Sequence, residues 1–159
     1  MTIKLNTGLA AGERSEIAAS LTKVLADSYA LYLKTHGYHW NVRGANFSEL
    51  HALFMAQYTE MWTALDELAE RIRALGEFAP QGYSAFANLT GIKDGDPEKE
   101  SPAMLKELLE DHETVIGSLR DAIAVAEEAR DPTSVDLLTQ RLAAHEKHAW
   151  MIRATLGSR

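Results

Sequence analysis

Six histidines, at positions 36, 39, 51, 112, 145 and 148, and the carboxylates are the groups through which this chain can do chemistry, because it contains no cysteine. Without thiols there are no disulfides, thiolate ligands or cysteine nucleophiles, and His, Asp and Glu remain as site residues. A di-iron site inside one helical bundle takes two Glu-x-x-His pairs and two further glutamates. No glutamate here has a histidine three residues on. The spacing around His51 offers another arrangement. Asp66 and Glu70 are four apart, on one face of any helix that contains them. Fifteen residues separate His51 from Asp66, which is about 22 Å along a helix. One chain cannot close a metal site over that distance. A two-fold axis that lays the helix antiparallel to its copy can do so, because His51 of each chain then faces the partner subunit's Asp66 and Glu70. His39 can join from the His51 side, and two imidazoles with two carboxylates suit iron. The same residues also fit a plainer reading: Asp66 and Glu70 form a solvated face beside Arg71 and Arg73, and the histidines pack near Trp40.

These groups need long helices to position them. Ile17, Leu21, Val24, Leu25, Tyr29 and Leu33 recur at helical spacing, and the four prolines stand only at 80, 97, 102 and 132. The pattern predicts a helix over about 12–36, ended by the segment His36 to Gly44. Asn46 followed by Glu49 is a capping-box-like start for a second helix over about 46–75, with Leu50, Phe54, Tyr58, Met61, Leu65, Leu68, Ile72 and Leu75 in steps of four and three and a stop at Gly76. A connector rich in Gly, Pro and Asp follows, and residues 83–89 can form a short helix within it. Ser101-Pro102 and Asp131-Pro132 each place a capping side chain before a proline at a first helical position. They open helices over about 102–130 and 132–156. The expectation is a single all-α domain over 1–159, a four-helix bundle with one long central connection.

Composition bounds the function classes. Charged residues are 25% of the chain, 46% of it is hydrophobic, and the net charge is −7, so an ordered domain with one core is expected. A general nucleic-acid binder carries a basic footprint, and this chain does not. No apolar run approaches the roughly 20 residues that span a bilayer, and the start MTIKLNTGLAAGERSE lacks the features of a signal peptide. A cytoplasmic protein with no membrane association is expected.

The stretch Lys34-Thr35-His36-Gly37-Tyr38-His39-Trp40-Asn41-Val42-Arg43-Gly44-Ala45-Asn46-Phe47, then Leu50-His51 and Asp66-Glu67-Leu68-Ala69-Glu70-Arg71-Ile72, resembles the Dps family, the mini-ferritins of bacteria. The likeness spans nearly the whole chain, including the short central helix and the Asp131-Pro132-Thr133 to Asp136 start of the last one. It implies a ferritin-like bundle assembled into a hollow dodecamer. Such a cage oxidises Fe(II), usually with hydrogen peroxide, stores ferric mineral and protects against oxidative stress. Carried over by residue, His39 and His51 of one chain and Asp66 and Glu70 of its two-fold mate form each ferroxidase centre.

The family usually has a carboxylate one turn after the second histidine, and this chain has Met55. A thioether is a poor ligand for hard iron, so one tight and one weak iron per centre are expected, unless Met55 is interface packing and the carboxylate dispensable. Arg43 and Gly44 are expected to fix the loop. Trp40, Trp62 and Trp150 are expected to pack in the core and can also intercept stray oxidising equivalents. The resemblance further implies acidic three-fold pores for iron entry, with Asp131 and Asp136 matching residues that line them and Gln140 one turn on. A carboxylate funnel concentrates cations, although Asp131 can equally cap the last helix. DNA coating is the alternative function. It usually relies on lysine-rich tails, whereas the first fourteen residues hold only Lys4 and Arg14 against Glu13, so no DNA binding is expected near neutral pH. An inert helical scaffold is the third possibility. His145 and His148, i and i+3 neighbours, can hold an accessory metal, and His36 and His112 read as surface or packing residues.

Overall fold

Apolar residues at steps of three and four leave one stripe on each long segment, and burying four such stripes together makes a bundle. The computed structural model, which describes residues 4–158, realises this as α1 (Ala11–Asn41), α2 (Phe47–Ala74), α3 (Tyr83–Leu89), α4 (Ser101–Glu128) and α5 (Pro132–Thr155), with no strand among the described residues. The hairpins α1–α2 and α4–α5 pack together mainly through α1 and α4, and α3 rests on α1. Leu21, Leu31, Phe54, Met61, Leu68, Leu108, Leu119 and Ile152 are fully buried between them.

The first helix is longer than its pattern suggests. It runs through Gly37 to Asn41 instead of ending near 36. A mid-helix glycine costs about 1 kcal/mol relative to alanine, but the next turn recovers more than that. Tyr38 is 2% exposed and its hydroxyl bonds Glu107 of α4, while His39 is 7% exposed. The turn comes only where Val42 becomes extended and Gly44 takes φ +113°.

The expected side-chain caps are not formed. Asn46 and Asp131 precede their helices without a capping side-chain bond, and Ser101 lies inside α4 with Glu100 before it. The Asp131 carboxylate pairs with Arg71 Nη2 at 2.6 Å.

The long connector is tied down by a residue the sequence does not advertise. Asp27 is fully buried in α1. Its Oδ1 accepts from Lys23 Nζ at 2.8 Å, the Gly91 amide at 2.8 Å and Thr90 Oγ1 at 3.0 Å, and its Oδ2 accepts from Ser118 Oγ of α4 at 2.7 Å. One carboxylate thereby fixes α1, α4 and the connector together. Lys34 and Asp111 add a nearly buried ion pair at 2.6 Å between α1 and α4, which sets the end of α1 that carries His39.

Candidate metal centre

The turn between α1 and α2 brings His39 and His51 face to face, with ring centres 3.6 Å apart and planes inclined by 20°. Their hydrogen bonds are reciprocal: His39 Nδ1 donates to the His51 carbonyl at 2.7 Å, and His51 Nδ1 donates to the His39 carbonyl at 2.7 Å. A carbonyl only accepts, so each Nδ1 carries the proton, and in the neutral ring the lone pair lies on Nε2. Fixing one nitrogen on a backbone carbonyl to present the other is how metal-ligating imidazoles are oriented. Phe47 stacks on His51 with ring centres 5.0 Å apart, and Tyr58 meets His39 edge-on at 5.2 Å. His36 is a packing residue, stacked on Tyr58 at 3.9 Å.

Asp66 and Glu70 lie near the other end of α2, both exposed. The fold thus brings His39 to His51 and keeps Asp66 beside Glu70, but holds the two pairs apart along one unbroken helix. Among the described residues, no three His, Asp or Glu side chains converge as they stand to hold a metal ion. At 3.6 residues per turn, His51, Met55, Trp62 and Asp66 fall within about 60° of arc on α2. Met55 is 47% exposed there and Trp62 58%. Large apolar side chains left in water between two candidate ligand pairs are what an association face presents.

The expectation that the tryptophans pack in the core is corrected. Trp40 and Trp150 are exposed like Trp62 in the single chain; Trp40 lies against His36 with ring centres 4.3 Å apart. Arg43 does fix its loop, through Nη2 to the Glu98 carbonyl at 3.0 Å and Glu100 Oε1 at 2.8 Å. Of the two carboxylates matched to the pore, Asp136 is exposed and accepts from Gln140 Nε2 at 2.8 Å, whereas Asp131 is buried against Arg71. Burial alone would raise the Asp131 carboxyl, but the bonds from Ser134 and Arg71 outweigh it and hold it below its ordinary value.

A second cluster of polar residues lies inside the bundle. His112 of α4 and His145 of α5 are fully buried, with Nδ1 to Nδ1 at 3.0 Å. His148 Nε2 stands 3.1 Å from Glu60 Oε2 on α2, and Arg141 grips the same carboxylate with both terminal nitrogens. Burial, helped by Arg141 and His148, pushes His145 down to about 3, and burial drives His112 well below its ordinary value, so both rings are neutral. The Glu60 carboxyl would be raised by its burial, yet the bonds from His148 and Arg141 hold it far below the usual range. The spacing of His145 and His148 was a visible signal for this cluster. Nothing in the sequence points to Glu60 or to the full burial of His112.

Known proteins match this architecture. The ferritin-like domain model matches residues 18–158. The DNA protection during starvation protein of Brevibacillus brevis is 35% identical over 140 residues, covering 88% of this chain and 94% of its own. DpsC from Streptomyces coelicolor gives a TM-score of 0.93 at 33% identity, over 98% of this chain and 92% of that one. The Dps protein from Vibrio cholerae O1, described as a member of a broad superfamily of ferritin-like diiron-carboxylate proteins, gives 0.92 at 29% identity over 98% and 99%. Sequence and fold agree along nearly the whole chain, and the protein belongs to the Dps family of ferritin-like proteins.

Proposed function

We propose that the protein stores and detoxifies iron: it oxidises Fe(II), with hydrogen peroxide as oxidant, at centres shared between two-fold mates, and retains the ferric product in a hollow dodecameric cage. In each centre His39 and His51 of one chain act with the partner subunit's Asp66 and Glu70. The reciprocal clamp of His39 and His51 carries this reading. It costs two backbone carbonyls and stacks two imidazoles at 3.6 Å, an arrangement whose product is a pair of Nε2 lone pairs held ready for a cation. The carboxylates supply the charge that two neutral imidazoles lack, and their exposure on the same helix suits donation across an axis.

The iron is substrate, and the step balances as two Fe(II) each losing one electron to one peroxide. The O–O bond breaks and two hydroxides leave. The acidic chain, at −7, favours accumulation of cations over coating of DNA. Ferric absorbance after mixing with Fe(II) and peroxide tests the reading. His51→Leu and Asp66→Asn should each slow the rise by at least about tenfold, the loss expected for damage to a ligand set. Mixed assemblies of these two variants should recover part of the rate, because a mixed interface can rebuild one whole centre. Full oxidation by His51→Leu, or no recovery on mixing, would sink the shared centre.

A further inference from the structure

Buried imidazoles are costly unless their nitrogens find partners. In the cluster of His112, His145 and His148, the first two share a single proton between their Nδ1 atoms at 3.0 Å, and their buried Nε2 atoms have no partner among the described residues. His148 is held differently. A carboxylate only accepts, so the 3.1 Å contact with Glu60 Oε2 puts a ring proton on Nε2, and in the neutral ring the lone pair lies on Nδ1. That Nδ1 is buried and unpartnered. Arg141 pairs with Glu60 and keeps the orienting carboxylate ionised. A carboxylate fixing one ring nitrogen while the other waits inside the protein is the support given to metal-ligating histidines.

The spacing points the same way. With a metal–nitrogen bond of about 2.1 Å and the ring centre roughly 1.2 Å beyond it, imidazoles on a tetrahedral ion have centres about 5.3 Å apart. The observed separations are 5.2 Å for His112 and His145, 5.4 Å for His112 and His148, and 6.4 Å for His145 and His148. The rings stop short of ligand geometry as they stand, and two small changes close it. One is a tautomer shift that moves the shared proton from Nδ1 to Nε2 of the ring that carries it, so that both Nδ1 lone pairs are free with the rings still neutral. The other is an approach of His148 to His145 by about 1 Å on the same tetrahedral arithmetic. Gln57, three residues before Glu60 on α2, is likewise 1% exposed with neither amide atom partnered.

We infer that each chain binds one first-row divalent cation of the zinc or cobalt kind within its own bundle, on His112, His145 and His148. Neutral imidazoles select such borderline ions over magnesium or calcium. This site lies in one chain, shares no residue with the proposed inter-subunit centre, and does not depend on it.

The test uses assembled, chelator-treated protein in which His51→Leu and Asp66→Asn disable the inter-subunit centre, titrated with Co(II) alone. One Co(II) per chain is expected, with the intense visible absorption of a tetrahedral ion. His145→Gln and His148→Gln, each in that background, should lower Co(II) affinity by more than about a hundredfold while helical circular dichroism and assembly size stay unchanged. Absence of tight Co(II) binding in the background overturns the inference without recourse to the variants, and so does an undiminished spectrum in whichever of the two folds. His148→Gln alone, in the otherwise unaltered protein, should still oxidise Fe(II) at the ordinary rate, so failure of one site is distinguishable from failure of the other.

Discussion

Met55 is the position at which a single substitution most directly reads the chemistry of the proposed iron centre. It stands one turn after His51 and is 47% exposed, so Met55→Glu disturbs no core contact, and glutamate suits a helix as well as methionine does. The new carboxylate lies on the arc shared by His51 and Asp66. Unit charges 4 Å apart in bulk water interact by about 1 kcal/mol, so a carboxylate near a dication gains about 2 kcal/mol even with full solvent screening. That is roughly thirtyfold in dissociation constant, and any exclusion of water enlarges it. Anaerobic Fe(II) titration should show one tight iron per centre in the unaltered protein and two in Met55→Glu, with the second tightened by at least about thirtyfold. Met55→Gln, equal in length and uncharged, should leave the second iron weak. Two tight irons in the unaltered protein refute the reasoning outright. A Met55→Glu protein whose assembly falls apart and which loses its tight iron with it would show instead that Met55 is needed for packing between subunits.

Three other outcomes follow from the residues described. Asp27→Ala leaves the hydroxyls of Thr90 and Ser118 and the Gly91 amide without their acceptor; at about 1 kcal/mol each, unfolding in urea should show a loss of roughly 3 kcal/mol, and a loss below about 1 kcal/mol would show that the connector is held elsewhere. Asp136 is exposed whereas Asp131 is committed to Arg71, so Asp136→Asn should slow Fe(II) uptake into the proposed cage, and unchanged uptake kinetics would remove Asp136 from the proposed entry path. Because the chain carries −7 and phosphate contacts need cations, plasmid should migrate unretarded beside the protein at moderate salt near neutral pH; a retarded band refutes this.

The bundle was legible because periodicity is a property of single segments. Steps of three and four mark each stripe, and Pro102 and Pro132 mark two starts. What escaped the sequence depends on partners far along the chain. The first helix extends through Gly37 because Tyr38 reaches Glu107, sixty-nine residues away. Asp131 gives its carboxylate to Arg71, sixty residues away. Asp27 reads as one more surface acid until its donors arrive from the connector and α4. Residue type also misplaced the tryptophans: Trp62 and Trp150 are large and apolar but lie on the outer sides of α2 and α5, where only the facing neighbour decides whether a large ring is buried.

The histidines show how far residue type and spacing reach. His39 and His51 are twelve apart, and nothing in that number says their rings stack or that each donates to the other's carbonyl. Yet this reciprocity fixes the tautomer, and the tautomer decides whether the pair is a ligand set or a packing contact. If Nδ1 were free, the same stacked rings would present donors outward and repel a cation. In the bundle interior the support is a carboxylate on only one ring, while the other two hold a single proton between them. Backbone carbonyls cannot leave or change charge, so the clamp at the end of α1 is preorganised whatever is bound. The inner cluster must instead move its shared proton from Nδ1 to Nε2 before it can take a cation. Binding there should therefore change the bound-proton count of these two neutral rings little, while the proposed centre at the clamp is complete only with the partner subunit's Asp66 and Glu70.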